Sequence, residues 1–345
     1  MVFGHSYSDL TIQGDSFVRL MYHIRDFIYS FHMPLFMFIS GYLFIHTTQS
    51  KERIGYAGFI KKKTLRLIVP YLILSAVAFA EKSAFAPYAW KNTEVSFRTF
   101  LHGLIHPLSN MNIFFWFLPT IFVIFLAAPL LHKAVCRWKN MPLLALISAG
   151  LAALNIFNPF VDTPIFNLSG IARHFVYFWF GCVFYAYKPR ATITVSVAVF
   201  AIAFSALVAL NLLMKINGKS PHTMFAAAVC GIIASFSFIK IYAMQKFDCF
   251  ASINGYSYQI YLLSWFYQTA ARVIGREFLD FDFYTAFAVM LGAGLAGPVL
   301  TAKFIRQHMP KLGFIIGLQG KSSEAGLSFQ PRKSTATGLK HQPSH

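Results

Sequence analysis

Apolar runs of bilayer-crossing length recur along this chain, separated by short turns rich in lysine and arginine. Inside hydrocarbon no water can satisfy backbone N–H and C=O groups, so such runs fold as helices whose hydrogen bonds close within each segment. With 57% of 345 residues hydrophobic and only 12% charged, an ordinary soluble domain is excluded. The expectation is an all-α polytopic transmembrane helical bundle of about nine to ten spans, each needing roughly 20 residues. The formal net charge of +18 does not signal nucleic acid, because the basic residues sit in turns between apolar runs and form no separate basic domain. Cys136, Cys182, Cys230 and Cys249 are scattered, which indicates neither a disulfide framework nor a metal site.

Residues 1–7 read as the last turn of a membrane helix whose beginning lies upstream. Residues 9–26 are polar and mixed in charge, and read as a loop or surface segment. An apolar run covers 27–46. The basic stretch 51–66 sets Lys51, Arg53, Lys61, Lys62, Lys63 and Arg66 against Glu52, which places it in the cytoplasm. Spans then alternate at 67–80, 113–131, 141–157, 170–187, 191–214, 223–239, 256–273 and 283–304, with a longer outer loop at 81–112. Residues 1–312 form the transmembrane domain in this reading. Residues 313–345 are poor in apolar side chains and read as a disordered cytoplasmic tail.

Within residues 31–44, FHMPLFMFISGYLF, His32 stands beside Pro34. An ionisable side chain inside a membrane is costly and marks a candidate site, whereas a kinked helix with an interfacial histidine is the plainer alternative. His5 and His32 frame the first outer segment. A neutral imidazole can take a hydroxyl proton as a general base, so both are candidates. Ser40 and Gly41 offer a face on which another backbone can approach closely.

The run at 31–44 resembles the acyltransferase family 3 integral-membrane O-acyltransferases, which include bacterial enzymes that acetylate surface polysaccharides. Gly4-His5-Ser6 resembles the family's first-helix histidine. The stretch 59–71, FIKKKTLRLIVPY, is similar to its basic loop entering the third helix. Phe115-Trp116-Phe117-Leu118 resembles its tryptophan-containing helix, and 254–263, NGYSYQIYLL, its late Ser-Tyr-x-x-Tyr-Leu helix. Two positions depart from the pattern. The arginine that the family often places before its histidine would precede Met1, and Ser264 stands where a histidine commonly follows the late motif.

The resemblance implies transfer of an acetyl or other short acyl group from acyl-CoA to a hydroxyl of a surface polysaccharide or its lipid-linked precursor, in the bacterial inner membrane. It implies His5 as catalytic residue, with His32 the second candidate. Acetyl-CoA serves as donor substrate, and no metal is required. CoA phosphates need cations, and Arg66, Lys63 and Lys62 lie on the cytoplasmic side for that purpose. The same cluster also serves as a topology signal. Ser40, Trp116, Arg173, Tyr258 and Tyr261 are candidates for substrate binding, and helix packing or interfacial anchoring is the alternative for each. Implied partners are acyl-CoA, a carbohydrate acceptor and the lipid bilayer, with no nucleic acid and with self-association left open. A transporter or flippase of a lipid-linked saccharide is the competing reading, because buried histidine and broken helices also suit proton-coupled transport.

Overall fold

The computed structural model describes residues 2–6, 16–49, 55–84, 95–138, 140–161, 163–187, 193–242, 253 and 255–318. Asp9, Asp15, Cys249, residues 51–54, the basic turn at 188–190 and the chain from 319 onward lie outside them. All regular structure among the described residues is helical. Six stretches are long and apolar enough to cross a membrane: Ser16–Thr48, Tyr56–Ala84, Ile113–Cys136, Val195–Asn217, Pro221–Tyr242 and Phe283–His308. The chain is therefore a multi-pass membrane protein. Three further helices run within the bundle. Helix α8 (Met141–Phe157) is apolar but only 17 residues long. Helices α9 (Leu168–Tyr187) and α12 (Ser257–Glu277) are longer, and they bury polar side chains, His174 on α9 and Gln259, Ser264 and Gln268 on α12.

The first crossing stretch consists of two helices, α2 (Ser16–Tyr29) and α3 (His32–Gln49), joined at Ser30-Phe31. The break falls immediately before His32. Pro34 sits in the first turn of α3, where a missing N–H costs nothing. Of the stretch 9–26, expected as a loop or surface segment, residues 9–15 lie outside the described residues and the part from Ser16 is helical. Its charged residues mask an amphipathic pattern. Val18 and Met21 are buried against Phe283, with Phe3, Ile24 and Phe287 packed around them, while Arg19, His23 and Asp26 are exposed.

Helices α3 and α9 cross with their backbones in contact. A Cβ at Gly41 would come 1.9 Å from the Phe178 carbonyl oxygen, and one at Gly181 would come 2.0 Å from that of Phe38. The Cys182 thiol donates to the Gly41 carbonyl at 3.4 Å. Ser40-Gly41 thus marks a helix crossing, as small residues do in membranes. The fully buried Met37, Val176, Phe178 and Trp179 surround it, and helix α7 (Phe117–His132) adds Leu118 and Ile124.

Helices α4 (Tyr56–Lys63) and α5 (Val69–Ala84) form one rod with a wide π turn at Thr64–Ile68 between them. The cause is local. Pro70 has no N–H for the carbonyl four residues back, that of Arg66, so the turn opens. The freed carbonyl accepts the Tyr258 hydroxyl from α12 at 2.5 Å.

The outer loop expected at 81–112 is also corrected. Residues 81–84 continue α5, and the described residues from 95 form helix α6 (Phe97–Ile105) and short 3-10 turns at Pro107–Ser109 and Ile113–Trp116. Ser96 caps α6 by accepting from Thr99 N–H. This segment returns alongside α5: Phe100 packs on Phe79 with ring centroids 5.1 Å apart. Deeper, the Tyr71 hydroxyl bonds to the carbonyls of Gly103 and Leu104 at 3.1 and 3.0 Å. The Asn110 amide then donates to Tyr71 and Ser75 at 3.2 and 3.0 Å. Tyr71 lies about 20 Å from the far end of α5 at 1.5 Å per residue. Residues 95–116 thus fold back against α5 and lead into the next crossing stretch, with backbone groups at Gly103, Leu104 and Asn112 met by the Tyr71 and Asn110 side chains.

Helix α10 (Ile193–Asn217) pairs with α11 (Pro221–Tyr242) at the periphery, and α12 pairs with α13 (Phe283–His308). Residues 313–318, which composition assigned to the tail, are packed. Ile316 is 3% exposed, its carbonyl accepts from the Gln259 amide at 3.1 Å, and Leu318 lies against the core.

Candidate active site

Four separate segments converge on a cluster of aromatic and imidazole rings. Helix α1 (Val2–His5) brings His5. Tyr29, at the end of α2, places its hydroxyl 3.3 Å from both ring nitrogens of His5. Gly4 makes that approach feasible, since a Cβ there would lie 2.5 Å from the Tyr29 hydroxyl oxygen. The first turn of α3 brings His32, whose ring lies 4.6 Å from that of Tyr29, centroid to centroid. The 3-10 turn before α7 brings Phe114, whose ring centroid lies 3.8 Å from that of His5 with the planes tilted by 40°. His5 and His32, expected as a pair, are thus bridged by one tyrosine.

His32 Nδ1 is buried beside the carbonyls of Ile28 and Tyr29, and no partner of normal hydrogen-bond geometry reaches it among the described residues. Beyond it, the Trp116 ring packs on His174 at 5.1 Å. His174 Nδ1 lies 2.7 Å from the Gly170 carbonyl oxygen. A carbonyl only accepts, so Nδ1 carries the proton and Nε2 keeps its lone pair. Of the pair Arg173-His174, the histidine is buried and the arginine exposed.

The remaining candidates divide into two groups. Tyr261 donates its hydroxyl to the Phe114 carbonyl at 2.6 Å, and Tyr258 donates to that of Arg66. Both tyrosines brace backbone, and their rings stack at 6.4 Å. The Arg66 guanidinium lies 5.4 Å from the Tyr258 ring centre, and its side chain is exposed. Lys63 Nζ sits 3.6 Å over Phe125 and 5.4 Å from Phe59, so its ammonium is held by aromatic faces. Lys62 is exposed. Ser40 donates to the Phe36 carbonyl of its own helix at 2.8 Å. It lies two turns of α3 beyond His32, about 12 Å along the axis.

Tyr29 and Phe114 carried no motif of their own. Only the aromatic spacing Tyr29–His32, one helical turn, hinted at the first, and nothing local announced the second.

An apolar helical bundle with imidazoles gathered in its interior is the setting of a membrane-embedded group-transfer enzyme. The chain belongs to the acyltransferase domain family, whose model matches residues 1–303, and it is an acyltransferase. Among curated proteins it is similar to YfiQ of Bacillus subtilis (strain 168), provisionally named a membrane-bound acyltransferase. The two are 22% identical over 351 residues, covering 95% of this chain and 91% of that protein. No solved structure matches the chain.

Proposed function

We propose that this acyltransferase moves an acetyl, or another short acyl group, from acyl-CoA to a hydroxyl of a cell-surface polysaccharide or of its lipid-linked precursor. The observation that carries the reading is a continuous run of contacts from a basic end to the imidazoles. Arg66 faces Tyr258, Tyr258 stacks on Tyr261, Tyr261 holds the Phe114 carbonyl, and Phe114 packs at a tilt against His5. A donor with its phosphates at Arg66, and at Lys62 beside it, extends its thioester along this line towards His5.

In this mechanism His5 takes the proton of the acceptor hydroxyl, and the oxygen attacks the thioester carbonyl. Collapse of the tetrahedral intermediate releases the CoA thiolate, which takes up a proton. Tyr29 orients the His5 ring and offers its O–H to developing charge. His32 binds the acceptor or shares the proton. Trp116 and His174 form the opposite wall, where a sugar ring can stack. Ser40, Arg173, Tyr258 and Tyr261 contribute through the shape of the site, since Ser40 and both tyrosines already have backbone partners. We place the enzyme in the bacterial inner membrane with about nine spans, counting α8, α9 and α12, and with the C-terminal tail in the cytoplasm.

The test is acetyl-CoA-dependent labelling of a saccharide mixture by membranes containing the chain, with Arg66→Ala alongside. The expected result is labelling whose KM for acetyl-CoA rises in the variant while kcat holds. Acceptor movement across sealed vesicles without acyl-CoA, and no labelling, would instead establish transport.

A further inference from the structure

The described turn of helix α1 carries His5. Its end tightens, because Ser6 N–H bonds to the Phe3 carbonyl at 3.3 Å. That leaves the Val2 carbonyl without a backbone donor from Ser6. Side chains supply the bonds instead. The Ser6 hydroxyl donates to the Val2 carbonyl at 3.0 Å, and the Gln268 amide of α12 donates to both the Val2 carbonyl and the Ser6 oxygen, each at 2.9 Å. Both amide hydrogens of Gln268 are therefore spent on α1. Ser6 is 0% and Gln268 2% exposed, so the triangle is sealed from lipid and water. Helix α13 backs it: a Cβ at Gly294 would lie 2.8 Å from both the Gln268 and Val2 side chains. Gln268 Oε1 is buried without a partner among the described residues. Against that cost the amide gains its two bonds to α1.

We propose that Gln268 is the positioning residue for His5. It touches neither the ring nor any reacting atom. By fixing the carbonyl at one end of α1 and the hydroxyl at the other, it sets where His5 meets Tyr29 and Phe114. Among the described residues the Tyr29 hydroxyl at 3.3 Å and the Phe114 face orient the ring, so freedom in α1 passes directly to the imidazole. The consequence for turnover rests on the reading of His5 as general base, whereas the positioning does not.

The test compares Gln268→Met, which keeps length and removes both donors, with Ser6→Ala, which removes one leg of the triangle. Intact membranes are treated with diethyl pyrocarbonate, and His5 modification is followed by peptide mass spectrometry. Acetyl transfer is measured in parallel, and elution of a single species in detergent checks folding. The expected result is a severalfold rise in His5 modification and a fall in kcat of about 10²-fold, the cost of misplacing a reacting group by about 1 Å. The KM for acetyl-CoA stays within about twofold, as expected when ground-state binding is untouched. Ser6→Ala shifts the same readouts less. Unchanged His5 reactivity in both variants overturns the proposal. A changed reactivity in a protein whose His5→Ala variant keeps full transfer supports the positioning and rejects His5 as base. If Gln268→Met does not fold, Ser6→Ala decides by the same criterion.

Discussion

The crossing of α3 and α9 is the strictest steric demand in the molecule, and Gly181→Ala tests it. An added Cβ would lie 2.0 Å from the Phe38 carbonyl oxygen and 2.8 Å from Tyr42 N. Carbon and carbonyl oxygen settle no closer than about 3.3 Å, so the two helices must part by about 1.3 Å. Both contacted atoms are backbone, and neither can rotate away. Overpacking of this kind costs typically 1–3 kcal/mol. At the upper end, about 3 kcal/mol lowers Tm by roughly 6–12 °C for a domain of a few hundred residues. The damage also reaches the site, because α3 carries His32 and α9 carries His174. The assay is thermal unfolding in detergent, read by loss of the single eluting species. Gly150→Ala is the control, since a Cβ at Gly150 of α8 meets nothing within 4 Å and only improves helix propensity. If Gly181→Ala melts with Gly150→Ala, the close backbone crossing is refuted.

Other perturbations separate bracing from chemistry. Tyr261→Phe leaves the Phe114 carbonyl without its donor and should cost about 1–3 kcal/mol, with transfer activity falling because Phe114 underlies His5; thermal shift and acetyl transfer on the same sample check it. Asn110→Ala removes the amide that ties the 95–116 segment to Tyr71 and Ser75, and should speed proteolysis there before any global unfolding. Gly4→Ala should push the Tyr29 hydroxyl off His5 and lower kcat with little change in Tm, read by kinetics in membranes. Asp282, at the start of α13, has its carboxyl held below the usual 3.8 by the Thr285 side chain and by backbone N–H groups, Tyr284 N–H among them. Its contribution is full above that ordinary value and fades as pH falls through the depressed one, so Asp282→Asn should flatten the acid limb of stability between pH titrations.

Much of the architecture was legible because hydrocarbon allows so few solutions. The apolar runs announced helices, and Ser40-Gly41 announced a tight crossing. What escaped were segments whose polar residues have partners elsewhere in the chain. Arg19, His23 and Asp26 made 9–26 look like a loop, although Val18 and Met21 alternate with them at helical spacing and pack on Phe283, which no local pattern reveals. The packing of 95–116 against α5 was hidden for the same reason. Asn110 reads as a loop residue until Tyr71 and Ser75 are placed beside it. At the site, the sequence named His5 and His32 as a pair but not the tyrosine between them. It weighed Arg173, while burial and the Gly170 hydrogen bond single out His174. Tyr258 and Tyr261 were candidates for substrate binding, and their hydroxyls hold the carbonyls of Arg66 and Phe114. Such roles depend on backbone groups freed by prolines and turns far away in the chain, and side-chain spacing carries no trace of them.

The central claim is that His5 performs the proton transfer in acyl transfer from CoA. Its most direct test is the rate of labelled acetyl transfer from acetyl-CoA to a saccharide acceptor by membranes holding equal amounts of the folded chain or its His5→Ala variant. The account predicts robust labelling by the former and a loss of about 10²–10⁴-fold in the variant, the span expected for a general base. Equal labelling by both would contradict it.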